Sequence, residues 1–236
     1  MYASEACLAQ LALRRFAWHP HAILVLSRIS VYGGAFERLF PGIQHRTLGA
    51  TPMFYWLFCR LFSMWMGAVD AGKKTATRVL KAGYSLMVFP GGSREIFTTD
   101  PECNTVTFVL KPRKGFVKLA LRHGTHLVPV VVYGEKYVYS RWIAPEWLVQ
   151  FCLKRFKGFP LLVFWGRFFT LLPYRSPLRV VYGAPIEVKQ VDEPSAEDVD
   201  VLHATYVEAA KELWHAHKAW GYGSAEKAAK EELIIQ

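Results

Sequence analysis

Cysteine is scarce. Only 4 occur in 236 residues, at Cys7, Cys59, Cys103 and Cys152, so widely spaced that neither a CxxC metal or redox pair nor a dense disulfide framework fits. They read as reduced, idle thiols. Long hydrophobic runs are also missing. The richest window, residues 53–66, contains Arg60, and as a helix it would reach about 21 Å against a bilayer core of about 30 Å. The N-terminus carries Glu5, Arg14 and Arg15 without an apolar core segment, so no cleavable signal peptide is expected. Charged residues make up only 20% and aromatics reach 15%, which excludes long-range disorder. There is no internal repeat, low-complexity run or domain linker.

What remains is an apolar, basic chain. With 52% hydrophobic residues it can bury a sizeable core within one domain. The formal charge of +10 is concentrated in the middle: residues 101–180 hold 13 basic and 3 acidic groups, whereas residues 181–236 hold 5 and 11. Such a middle attracts anions, whether nucleic acid, an acidic membrane face or a phosphorylated substrate.

Strands alternate with helices. Strands are expected over 11–18, 43–48, 84–89, 105–110, 126–133 and 178–182, the fifth a Val-rich run buried on both faces. Helices are expected for about ten residues after His21, and over 52–66, 73–81 and 116–123. A last long helix is opened by a capping box at Ser195 and Asp198, carries apolar Val199, Leu202, Tyr206, Ala209 and Leu213, and stops at Gly221. The pattern predicts a single α/β domain with a mostly parallel or mixed sheet flanked by helices. Residues 1–222 form that domain, and 223–236 an acidic tail that is a peripheral helix or frayed.

Four segments carry chemistry. His19-Pro20-His21 places two imidazoles on a stiffened strand end, where a neutral ring can accept a proton at cellular pH. The same letters also fit two packed histidines, or part of a zinc site; His45, His123 and His126 offer no matching ligand spacing, so no metal is expected. In Pro90-Gly91-Gly92-Ser93-Arg94-Glu95, a strand enters a Gly-Gly turn whose amides can approach a ligand, and a carboxylate follows that can hold a histidine nitrogen. An ordinary turn with a surface ion pair reads the same way. Lys111-Pro112-Arg113-Lys114-Gly115 brings three cations to a helix N-terminus, which suits a phosphate, or else a solvated charge run. Residues 147–169 hold eight aromatics, four cations and no acid. That composition suits a bilayer interface, stacking on single-stranded nucleic acid, or plain core. Together with the aromatic 53–66 window it exceeds what one small core needs, so lipid contact is expected.

Taken together these segments resemble the diacylglycerol O-acyltransferase type 2 family, which includes monoacylglycerol and wax-alcohol acyltransferases. The resemblance is most specific in RKGFVKLALRHGTHLVPVVVYGEKYVY from Arg113 to Tyr139, and extends to HPHA at 19–22, PGGSRE at 90–95, LLPYRSPLRVVYGAPIEV at 171–188 and the closing helix. It implies a glycerolipid acyltransferase-like fold and an acyl-CoA-dependent O-acyltransferase esterifying a neutral lipid alcohol, foremost diacylglycerol, with monoacylglycerol or a wax alcohol as alternatives. Acyl-CoA is then a co-substrate and no cofactor is required. The endoplasmic reticulum membrane, on its cytosolic face, or the lipid droplet is the expected place. Gly91 stands where the glycerol-phosphate enzymes carry glutamate, which suits an uncharged acceptor.

On this resemblance His21 is the general base, with His19 in reserve and Glu95 orienting the imidazole. The amides of Gly91 and Gly92 lie near the oxyanion, and Arg94, Arg113, Lys114 and the helix start at Gly115 hold the CoA phosphates. Two departures stand out. Ala22 replaces the family's glycine, and only 18 residues precede the histidine turn where the family has a hydrophobic hairpin. They give a rival of another class, a catalytically weakened lipid- or membrane-binding protein. No nucleic-acid motif is present, so no nucleic acid partner is expected. Oligomeric state is not legible.

Overall fold

The computed structural model describes residues 14–21, 35–55, 57–98, 102–143, 145, 147, 148, 151 and 162–236. The expected helix after His21, Ala22, the start of the first strand, Cys7, Cys152 and much of the 147–169 stretch lie outside them. The elements in chain order are β1 (Arg14–His19), α1 (Ala35–Leu39), β2 (His45–Gly49), α2 (Leu57–Trp65), β3 (Ala68–Asp70), α3 (Lys73–Lys81), β4 (Ser85–Val88), α4 (Ser93–Thr98) and β5 (Thr105–Phe108). Then come α5 (Gly115–His123), β6 (His126–Tyr133), β7 (Ser140–Ile143), β8 (Leu162–Trp165), β9 (Arg179–Tyr182), α6 (Ala196–Tyr222), α7 (Ala225–Lys230) and β10 (Glu232–Ile235).

The main sheet is mixed, in the order β3-β2-β4-β1-β6-β9, with five parallel strands and an antiparallel edge at β9. β6 owes its interior place, between β1 and the edge strand β9, to its Val-rich run: every residue after His126 is buried. Strand alternation in β1 decides where the site lies. Phe16 and Trp18 point into a core with Phe36, Phe40, Val130 and Tyr182, whereas Ala17 joins the opposite core beneath α5 and α6. His19, two residues on from Ala17, falls on the α6 face at the carboxyl end of the strand. That end of a parallel sheet is where crevices open.

The long helix begins as expected. The Ser195 hydroxyl accepts the Asp198 N–H at 3.0 Å, and the Asp198 carboxylate accepts the Ser195 N–H at 2.9 Å. Its buried line is Val199, His203, Tyr206, Ala210 and Trp214, turned from the expected stripe so that Leu202 and Leu213 only flank the core. The helix also runs past Gly221 to Tyr222. Gly221 is small for packing rather than stopping, since a Cβ there would fall 2.4 Å from the Tyr133 ring. Gly223, at φ +72°, makes the cap.

The 52–66 segment is a 3₁₀ turn at Thr51–Phe54 followed by α2. The tail holds a strand as well as a helix: β10 pairs in parallel with β5, and the Gln236 carbonyl accepts the Leu110 and Lys111 N–H groups at 2.7 Å each. Just before β10 in the chain, Glu231 accepts from the ammonium of Lys136 at 2.6 Å and from the Tyr137 hydroxyl. No helix among the described residues is long and apolar enough to cross a membrane.

Candidate active site

Three distant segments meet at one carboxylate. Glu95, on the first turn of α4, is fully buried. Its Oε1 accepts the Val109 N–H at 2.8 Å and faces Nδ1 of His19 at 3.2 Å, and its Oε2 accepts the His21 N–H at 2.6 Å. Both oxygens of the carboxylate thus already accept a backbone N–H, which casts Glu95 as the acceptor toward His19 and Nδ1 as the donating nitrogen. The other ring nitrogen, Nε2, lies 3.0 Å from the hydroxyl of Tyr206. Phe108 stacks on the His19 ring at a centroid distance of 4.9 Å. His19 is therefore enclosed on every side and fully buried.

His21 is different. It is half-buried, with its ring edge-on to Phe89 at 5.2 Å, and Glu95 reaches it through the backbone rather than the imidazole. The expectation that one carboxylate orients the imidazole of the base thus divides: the ring it holds is that of His19, and the residue it pins by the main chain is His21. Gly91 makes this possible. A Cβ at that position would lie 1.9 Å from Cδ of Glu95, so only glycine lets the carboxylate fold back against the turn. The Gly92 N–H closes a turn onto the Phe89 carbonyl at 3.1 Å, so it already has an acceptor inside the protein.

The basic loop starts two residues after Val109. Arg113 is half-buried with its Nε desolvated and unpartnered, Lys114 donates to Asp200 on α6 at 2.6 Å, and Gly115 opens α5. His203 on α6 lies with Nε2 3.0 Å from the Leu110 carbonyl. Arg94 is exposed on α4. Arg113 is four residues on from Val109, so its backbone lies within roughly 14 Å of the residue whose amide caps the carboxylate. Sequence reasoning missed the Val109 amide, the Phe108 ring, His203 and the hydroxyl of Tyr206. The single hint was a tyrosine in an otherwise apolar helical stripe, which a buried hydroxyl with a partner explains.

The model of the family described as diacylglycerol acyltransferase matches residues 13–233. The chain belongs to the diacylglycerol acyltransferase family. It is 37% identical to 2-acylglycerol O-acyltransferase 1 of Bos taurus, over 94% of this chain and 69% of the relative. It is 34% identical to acyl-CoA wax alcohol acyltransferase 1 of Homo sapiens, over 88% and 67%. It is also 34% identical to diacylglycerol O-acyltransferase 2 of Mus musculus, over 86% of this chain and 56% of that protein. No solved structure matches. The family match covers every site element above, from β1 to α6, and identifies this chain as an acyltransferase.

Proposed function

We propose that this family member transfers an acyl group from acyl-CoA to the hydroxyl of a neutral lipid alcohol, diacylglycerol foremost, with monoacylglycerol and long-chain alcohols as alternatives. The observation that carries the reading is the half-buried His21, held 2.6 Å from a buried carboxylate through its backbone, beside a basic loop. In this mechanism an imidazole nitrogen of His21 takes the acceptor's hydroxyl proton as that oxygen bonds to the thioester carbonyl carbon. The tetrahedral intermediate then expels CoA thiolate with cleavage of the C–S bond, and the imidazolium returns the proton to sulfur. Such base assistance contributes about 10²–10⁴ in rate. A thioester already carries a good leaving group, so no covalent enzyme intermediate and no cofactor are needed. His19 and Glu95 act as support. Arg113, with Arg94, Lys114 and the α5 N-terminus at Gly115, receives the CoA phosphates, Lys114 exchanging Asp200 for phosphate. The strand–turn–helix from Phe89 to Glu95 is the part of the fold that supports a glycerolipid acyltransferase-like architecture.

The lipid acceptor implies a lipid surface. The α2 face supports this: Phe58 and Trp65 are 85% and 80% exposed, whereas Ser63 is buried, the reverse of a helix covering a core. Phe168 and Phe169 add two more exposed rings beside Arg167. We place the enzyme on the cytosolic face of the endoplasmic reticulum membrane or on lipid droplets, docked by these residues.

The test is a panel of neutral alcohols with labelled acyl-CoA and enriched protein in lipid micelles, read by product chromatography. An ester with at least one alcohol, lost in His21→Ala, is expected. No ester with any alcohol would favour a lipid-binding protein without catalysis, and full activity in His21→Ala would remove the base. Flotation on vesicles containing anionic lipid tests the docking, which Phe58→Glu with Trp65→Glu should weaken without loss of fold.

A further inference from the structure

Among the described residues, the centre contains a buried phenol that the proposed mechanism does not use. Tyr206, on the buried line of α6, is fully buried, and its hydroxyl lies 3.0 Å from Nε2 of His19 and 3.3 Å from the Ala17 carbonyl. It packs edge-on against Phe116 at 5.0 Å, so its ring is core and only its oxygen is chemistry. A hydroxyl supplies a single proton, and two acceptors lie within its reach. We propose that Tyr206 is a positioning residue: it donates that proton to Nε2 of His19, locks His19 as the Nδ1–H tautomer against Glu95, and through Glu95 fixes the backbone of His21. The proposal rests on the acyl-transfer reading above and adds to it the part played by α6.

The argument follows the donors. Glu95 receives the Val109 amide on Oε1 and the His21 amide on Oε2, so both of its oxygens act as acceptors. With Oε1 accepting, the 3.2 Å contact to it leaves Nδ1 of His19 as the donor. A neutral ring then leaves Nε2 as an acceptor in a site without solvent, and an unpaired buried acceptor is costly. The shorter of the hydroxyl's two contacts is the one to that nitrogen. Burial, with the Glu95 charge adding to it, holds the Tyr206 phenol well above its ordinary pKa, so the hydroxyl keeps its proton. α6 also places Asp200 on Lys114 and His203 on the Leu110 carbonyl. Three residues spaced three apart on one helix thus hold the basic loop and the histidine pair in one frame.

Nitrogen NMR of ¹⁵N-histidine-labelled protein reads the tautomer directly. The expected result is a protonated Nδ1 and a bare Nε2 at His19; a protonated Nε2 overturns the proposal whatever any variant does. Tyr206→Phe keeps the ring and removes the hydroxyl. It should lower kcat about 10-fold or more, in the range usual for partners that orient an active group, while KM for acyl-CoA stays within about twofold and the His19 signals shift toward mixed tautomers. Activity within twofold of the parent, or an unchanged tautomer, refutes the lock. If the parent protein makes no ester while its His19 remains Nδ1–H, the acyl-transfer reading fails and the lock stands.

Discussion

Gly91→Ala is the sharpest single perturbation of this centre. The added methyl would sit 1.9 Å from Cδ, 2.1 Å from Oε1 and 2.4 Å from Cγ of Glu95, where carbon contacts normally exceed 3.4 Å. The carboxylate must retreat by about 1.5 Å, enough to break the bonds at 2.6, 2.8 and 3.2 Å to His21, Val109 and His19. Hydrogen bonds to a charged group contribute about 1.5–3 kcal/mol each. Partial reorganisation recovers some of this, so the expected loss is about 3–5 kcal/mol, the range for disrupting a buried charge arrangement. In a chain of this size that lowers Tm by about 6–20 °C. Thermal unfolding in detergent measures the fall, and acyl transfer below the new midpoint should be nearly abolished. A variant that melts within about 2 °C of the parent and retains its turnover would show that Glu95 is not held as described.

Three further outcomes follow from other parts of the fold. Lys136 and Glu231 are both 3% exposed, so Glu231→Leu or Lys136→Met alone should cost about 3–5 kcal/mol, while the double variant should recover a large part of it; denaturant melts of the four proteins check this. Because β10 backs β5 and hence the Val109 amide, the single variants should also lose turnover, measured at a temperature where they remain folded. Asp198 has a carboxyl held below its ordinary pKa by hydrogen bonds from the Ser195 hydroxyl and amide. Its contribution is therefore present above that ordinary value and is lost as the pH falls toward the folded one. The stability gap between parent and Ser195→Ala should narrow over that acidic window, followed by circular dichroism.

Much of this architecture is written locally. The Val-rich run from Leu127 to Tyr133, the reciprocal cap at Ser195 and Asp198, and the alternation Phe16-Ala17-Trp18 each specify an element, or a face, from a few neighbouring residues. The meeting of the His19 ring with Glu95 follows less directly, because the motif gives the residue types but not which imidazole the carboxylate touches. Tyr206, Val109 and β10 were not legible. A main-chain amide has no letter, the phenol of Tyr206 hides within an apolar stripe, and the pairing of Glu232–Ile235 with β5 joins acidic, Ala-rich flanks to a strand over a hundred residues away. The turn of the long helix relative to the expected stripe came from His203 and Trp214, whose burial depends on what lies across the interface.

The contact from His19 to Tyr206 spans 187 positions of the chain and that to Glu95 spans 76. During synthesis, then, the imidazole is made early, its carboxylate partner follows, and its second partner waits for the last long helix. A nascent or truncated product ending before that helix would already possess both histidines and the glycine turn, yet it would lack the hydroxyl that closes the arrangement. If Tyr206 positions His19 as proposed, full turnover is reached only once α6, the last long helix to be made, has docked.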